Sequence, residues 1–244
     1  MSLKHKLRLF VNHFGIDIVR YPLHVPEVRT AKLITDRHIN CVVDVGAHDG
    51  GFATGIRALG YAGRIISFEP LQEPFRRLSD KAKVDDTWDA VRSAIGDTDG
   101  EVTINVAAND GQSSSVLPML PSHTNAAPDS RYIGTETVIQ QRLDSILPQL
   151  GVGPGSGSRV FLKVDVQGYE GAVLDGAAEL LAERVIVGLQ LELSLVPLYG
   201  GAMTYREGID RAEGLGMTLM GLEPAFADPG SGQLLQADAV FFVA

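Results

Sequence analysis

Five charged residues sit in or just after apolar runs, and their types suggest what they could do. Asp44 lies in Cys41-Val-Val-Asp-Val45, Glu69 follows Arg64–Phe68, Asp165 follows Val160–Val164, and Glu192 ends the run that begins at Val185. Lys163 stands two residues before Asp165, on the same side of an extended chain. A charge buried in an apolar strand costs several kcal/mol unless it is paired or used. The plain structural reading is an ion pair between Lys163 and Glu192. The chemical reading makes Lys163, Asp165 and Glu192 a catalytic cluster that handles a proton. An alcohol is a weak nucleophile until a base takes its proton, so a hydroxyl acceptor calls for Asp165, Glu192 or a nearby histidine. Two carboxylates could instead hold a divalent metal that acidifies the alcohol. The spacing of His, Cys, Asp and Glu offers no tight ligand set for one.

The segment after the first acid narrows the ligand. Asp44-x-Gly46-x-x-x-Gly50 joins a strand-like run to the helical-looking residues 52–59. Glycine there permits a positive φ and a close approach to the backbone. Dinucleotide loops read Gly-x-Gly-x-x-Gly around a pyrophosphate; that pattern is absent, which argues against a nicotinamide-dependent oxidoreductase. Acids in and beside the turn, Asp44 and Asp49, would repel a pyrophosphate but suit a sulfonium. Glu69-Pro70 falls where an acid accepts both ribose hydroxyls in nucleotide folds. A cationic, ribose-bearing cofactor describes S-adenosylmethionine. An ordinary glycine turn in an unrelated α/β protein is the alternative.

These residues need a scaffold. Strand-like runs at 41–45, 64–68, 89–94, 160–165, 185–193, 217–222 and 239–243 alternate with helical stretches at 52–59, 72–82, 171–181 and 205–215. That alternation predicts a doubly wound parallel sheet with ligands at the carboxyl ends of its strands. The last two strands lack a helix between them, so the final strand should be antiparallel. Residues 101–107 read as a hairpin strand, and 109–137 as a long polar loop of the kind that is functional or disordered. Asn109, Ser114, Ser115 and His123 in that loop are candidates for binding a polyhydroxyl acceptor, or are ordinary turn residues. Residues 3–14 and 28–37 read as two helices of an N-terminal cap over 1–40, continuous with one domain over 41–244. The first is basic and amphipathic, suited either to packing on its own domain or to peripheral contact with a membrane.

Composition bounds the rest. The chain has 244 residues with a formal net charge of −9, which argues against nucleic acid as the main partner. A single cysteine, Cys41, cannot form an internal disulfide and fits a reducing cytoplasm. No apolar run approaches the roughly 20 residues that span a bilayer, and no signal peptide is read.

The segments VVDVGAHDG, ISFEP, FLKVDVQGYE with VLDGA, and LELSLVPLYGG resemble the FkbM family of S-adenosylmethionine-dependent O-methyltransferases. The resemblance runs from about Cys41 onward, and Lys-x-Asp-x-x-Gly-Tyr-Glu is its most specific part. It implies an α/β fold: the Rossmann-like class I methyltransferase sheet of seven strands, mostly parallel, with an antiparallel last strand. It assigns Asp44, Gly46, Gly50 and Glu69 to the cofactor, Ser93 and Ala94 to the neighbourhood of the adenine, and Asp165 to the methyl-transfer site. Ala47, Phe52, Pro70 and Gln167 join that cofactor set, and His48 could donate to the carboxylate of the methionine part or reach the substrate. Many related sequences carry Glu at Gln167, so one possible base is missing here. The implied acceptor is a hydroxyl of a sugar or natural product, with a deoxysugar of a cell-envelope glycolipid as the nearest likeness. A protein that keeps this fold as a non-catalytic binding module is the remaining alternative.

Overall fold

The computed structural model describes residues 10–14 and 25–243. In the large sheet, β1 (Cys41–Val45) lies between β2 (Arg64–Phe68) and β7 (Val160–Val164), parallel to both. β3 (Trp88–Val91) extends the sheet beyond β2, and β8 (Ile186–Ser194) extends it beyond β7. β10 (Leu234–Val243) inserts antiparallel between β8 and the edge strand β9 (Met217–Ala227). The order β3-β2-β1-β7-β8-β10-β9 is the Rossmann-like class I methyltransferase sheet expected from the sequence.

β1 and β7 are buried along their whole length because both sheet faces are covered. On one face Val42, Ile65, Phe161 and Val240 pack with residues of α1 (Pro26–Asp36), α2 (Gly51–Ala58) and α3 (Gln72–Ala82). On the other, Val43, Ile66, Leu162 and Leu189 meet α5 (Leu143–Gln149), α6 (Glu170–Asp175), α7 (Ala178–Ala182) and α8 (Tyr205–Gly214). α1 starts at Pro26, a good first helical residue, slightly earlier than the 28–37 expected. It docks on the last strand: Arg37 donates to the Val243 carbonyl at 2.8 Å and stacks over the Phe242 ring. The helix read over 3–14 lies mostly outside the described residues. Among those described, no helix is long and apolar enough to cross a membrane.

Several elements depart from expectation. The strand read over 89–94 ends at Val91, and β4 (Ala94–Ile95) leaves for a second sheet of order β4-β6-β5. There β5 (Gly100–Ala107) runs antiparallel to β6 (Tyr132–Gln141). The supposed loop 109–137 therefore contains the first half of a long strand, and also α4 (Pro121–Ala126). β6 escaped notice because it covers only a small core of Leu71, Ala94, Ile104 and Val138, while Ile133 and Ile139 stay exposed. The helix read over 171–181 is two helices. The Asp144 carboxylate accepts the Glu179 and Leu180 N–H groups at 3.0 Å and so starts α7 afresh. Just before it, the chain passes so close to Gly96 that a Cβ on Gly176 would lie 1.9 Å from the Gly96 carbonyl oxygen. β9 and β10 are longer than the 217–222 and 239–243 expected, since they form one extended, bulged hairpin.

Candidate active site

The turn after β1 is built by backbone contacts. Gly46 has φ +79°, and a Cβ there would lie 1.9 Å from the Asp165 carbonyl oxygen, so the β1 and β7 turns touch at that point. Gly50 has φ +82°, and its missing Cβ makes room for Leu78 and Trp88; it packs the turn and does not line the cavity. Gly46 and Ala47 donate to the Phe68 carbonyl at 3.1 and 3.0 Å, and Gly50 donates to the Ala47 carbonyl at 2.8 Å. His48 N–H donates to Glu69 Oε2 at 2.8 Å, and Leu71 N–H to Glu69 Oε1 at 2.9 Å. The amides of residues 46, 47, 48 and 50 are thus occupied within the turn and its β2 neighbour. Burial pushes the Glu69 carboxyl up to about 7.

The charged cluster follows from strand register. Asp44 and Lys163 face each other across β1 and β7, on the sheet side that also carries Phe161. The Lys163 ammonium lies 3.4 Å from Asp44 Oδ1 and 3.3 Å from Asp165 Oδ2. The ion pair expected between Lys163 and Glu192 does not form, because Asp44 is the directly opposed partner. Burial alone would lower the Lys163 pKa, but Asp165 and Asp44 together outweigh it and hold the ammonium charged. Asp44 is fully buried beneath the cavity wall with the Lys163 ammonium as its charged neighbour, and burial raises its pKa. Glu192 turns instead to carboxamides: Gln167 Nε2 and Gln236 Nε2 donate to its Oε2 at 2.7 and 2.6 Å. Gln167 Nε2 also lies 3.0 Å from Asp165 Oδ1, and Tyr199 Oη donates to Gln167 Oε1 at 2.8 Å. Burial first, then Asp165 and Glu170, drive the Glu192 pKa well above the usual carboxylate range. Gln167 and His48 carry left-handed backbones, φ +55° and +51°, at the two turns that meet here.

A cavity of about 590 Å³ opens over these strand ends, within the usual size for small-molecule sites. Gly46, Ala47, His48, Phe52, Glu69 and Pro70 line its β1–β2 end. Ser93 and Ala94 line it too, with the Ser93 hydroxyl bonded to the Ala94 carbonyl at 2.8 Å. Lys163, Asp165, Gln167 and Glu192 form the opposite end. His48 Nε2 donates to the Asp110 carbonyl at 2.9 Å, tying the turn to the segment 109–115 that roofs the cavity. Asn109, Ser114, Ser115 and His123 all reach the lining. Three of them build the roof with their polar atoms. Asn109 bonds Ser113, Ser114 accepts the Ala107 N–H, and Ser115 donates to the Gln167 carbonyl at 2.7 Å. Sequence reasoning missed Gln236, Phe226 and Tyr199. They are neutral residues of common type, and only the β9–β10 hairpin and the loop after β8 bring them to the acids.

Among the described residues no group of three or more His, Cys, Asp or Glu side chains could hold a metal ion. The site fits a cationic nucleoside: an acid at the end of β2, a buried carboxylate behind the wall that is shared with Lys163, and turn amides at 46, 47, 48 and 50 that are already bonded.

A family model described as the methyltransferase FkbM domain matches residues 44–216. No curated protein matches the chain. Among solved structures the chain is similar to the methyltransferase FkbM of Methylobacillus flagellatus KT, at 12% identity and TM-score 0.48. That match covers 82% of this chain and 43% of the other, so the chain spans less than half its length. It is similar to an rRNA methylase of Streptococcus thermophilus at 12% identity and TM-score 0.48, covering 93% and 98% of the two chains. It is also similar to Aeropyrum pernix fibrillarin, solved with bound S-adenosyl-L-methionine, at 12% identity and TM-score 0.44, covering 83% and 66%. The family match takes in the β1 acid, the glycine turn and the Lys163–Glu192 cluster, and the chain belongs to the FkbM methyltransferase-domain family.

Proposed function

We propose that the protein transfers a methyl group from S-adenosylmethionine to a hydroxyl oxygen, on a sugar of a glycolipid or other glycoside. One observation carries this reading. A single cavity joins Glu69 at the end of β2 to Asp165 and Glu192 beyond β7 and at β8, and the turn amides of residues 46, 47, 48 and 50 are already occupied. When bound, S-adenosylmethionine supplies an electrophilic methyl group on a positively charged sulfur. Glu69 accepts the ribose hydroxyls, and Asp44 contributes negative charge from behind the wall. Glu192 takes the acceptor's proton: Oε2 is held by two carboxamides, and Oε1 makes no hydrogen bond among the described residues. Burial raises its pKa, which makes its carboxylate a stronger base toward the acceptor's proton. Lys163 and Gln167 fix Asp165 beside it.

Glu192→Gln keeps the shape and an oxygen for Gln167 and Gln236, yet removes the base. Turnover should fall by about a hundredfold or more while calorimetry shows unchanged affinity for S-adenosylmethionine; full activity takes Glu192 out of the chemistry. Asp165→Asn should behave in the same direction. A glycolipid acceptor also brings a membrane surface, and the exposed Phe10 and Phe14 supply an apolar contact for it. Vesicle co-sedimentation of Phe10→Ser/Phe14→Ser against the parent protein tests that contact; equal binding removes it.

A further inference from the structure

His123 is the one acceptor-side candidate whose ring is not accounted for by the roof. It is 2% exposed on the cavity wall, and its Nδ1 has no hydrogen-bond partner. Nδ1 is closed off from the cavity, so a ligand meets the ring at the edge that lines the wall. The ring is held in place: it meets Tyr199 edge to face at 5.1 Å between centroids and lies against Phe226 at 5.6 Å. Both neighbours lead to the base. Tyr199 Oη bonds Gln167, which bonds Glu192. Phe226 sits opposite Gln236 in the β9–β10 register, and Gln236 bonds Glu192 directly.

On this basis, and resting on the methyl-transfer reading above, we propose that His123, Phe226 and Gln236 form the acceptor subsite and select an uncharged, hydroxyl-bearing ring. The His123 edge that lines the cavity pairs with a ring hydroxyl, and the Phe226 face covers the ring's apolar C–H side. Burial lowers the His123 pKa, so the imidazole stays neutral and offers no charge to a phosphate or carboxylate. The other charged groups on this end of the wall are Asp165 and Glu192, which repel an anion, and Lys163, whose charge is matched by Asp44 and Asp165.

Saturation-transfer NMR in the presence of adenosylhomocysteine tests the subsite. The probes are methyl pyranosides and the matching sugar 6-phosphates. At least one methyl pyranoside should bind, and its phosphate should bind more weakly. His123→Ala and Phe226→Ala should each weaken the pyranoside by about fivefold to tenfold, the loss of one hydrogen bond or one ring face. His123→Asn, whose amide can still meet a hydroxyl, should stay within about twofold of the parent. Circular dichroism and adenosylhomocysteine affinity should be unchanged in all three. The subsite is overturned if no pyranoside binds, if the phosphates bind better, or if both alanine variants bind like the parent. Adenosylhomocysteine titrated alone reports on the donor end separately, so failure of the subsite and failure of the methyl-transfer reading are distinguishable.

Discussion

Glu69 ends β2 with one oxygen on the His48 amide and the other on the Leu71 amide, and its burial lifts it to about 7. A ribose diol donates to a carboxylate and gains little from a carboxylic acid. Affinity for adenosylhomocysteine should therefore fall by about tenfold between pH 8 and pH 6 as Glu69 takes up its proton. Calorimetry across that range checks it, and Glu69→Gln should bind weakly at every pH with a flat profile; a flat profile in the parent removes Glu69 from the ribose. Single charged residues were legible in the sequence because a charge in an apolar run is rare and demands a reason. Their partners were not. Lys163 lies opposite Asp44 through a β1–β7 register that no single strand reveals, and Glu192 depends on Gln236, a residue of unremarkable type at the far end of the chain.

At the scale of elements, the turn after β7 is held by Glu170 in the first turn of α6. Its Oε1 accepts both the Val166 and Gly168 N–H groups, at 3.2 and 3.0 Å, and burial raises its pKa from the ordinary 4.5 to about 7. The folded state thus keeps a proton that the unfolded chain releases. This contribution is complete below about pH 4.5 and is lost as pH rises through about 7. Glu170→Gln retains the acceptor oxygen and removes the buried charge. It should stabilise the protein at pH 8 by on the order of 3 kcal/mol relative to its effect at pH 4, read from denaturant unfolding at both values. A pH-independent effect would falsify the buried-charge account. Gly46→Ala should act oppositely, costing more than about 3 kcal/mol and the ligand site together, because its Cβ has no room before the Asp165 carbonyl and its φ is left-handed. The parallel strands and their helices were readable because their apolar runs are continuous and glycine turns punctuate them. β6 was not, since it packs one face over a small core, and the α6–α7 break was not, since its cause is an Asp144 cap from another helix.

For the molecule as a whole, ligand and fold are linked. If the cavity holds an adenosyl ligand, adenosylhomocysteine at a hundred times its Kd should add about 2.7 kcal/mol of stability and raise Tm by several degrees at neutral pH. NAD at the same concentration should leave Tm unchanged, since the turn amides are occupied. The parallel sheet and its antiparallel final strand were legible from strand–helix alternation and the missing last helix, and the count of seven strands from the family resemblance. The three-stranded sheet over the site was hidden because β4 is only two residues long and pairs with a strand far along the chain. The position of β10 has a further consequence for how the protein comes into being. β9 is synthesised first, yet its partner in the sheet is β10, and β10 also carries the carboxamide that steadies Glu192. A growing polypeptide therefore waits with two open strand edges and a half-supported acid until residues 234–243 leave the ribosome. Chains stalled before Leu234 should be readily digested by protease and, on the proposed reading, inert toward acceptors, because residues 234–243 close the sheet and complete the support of Glu192.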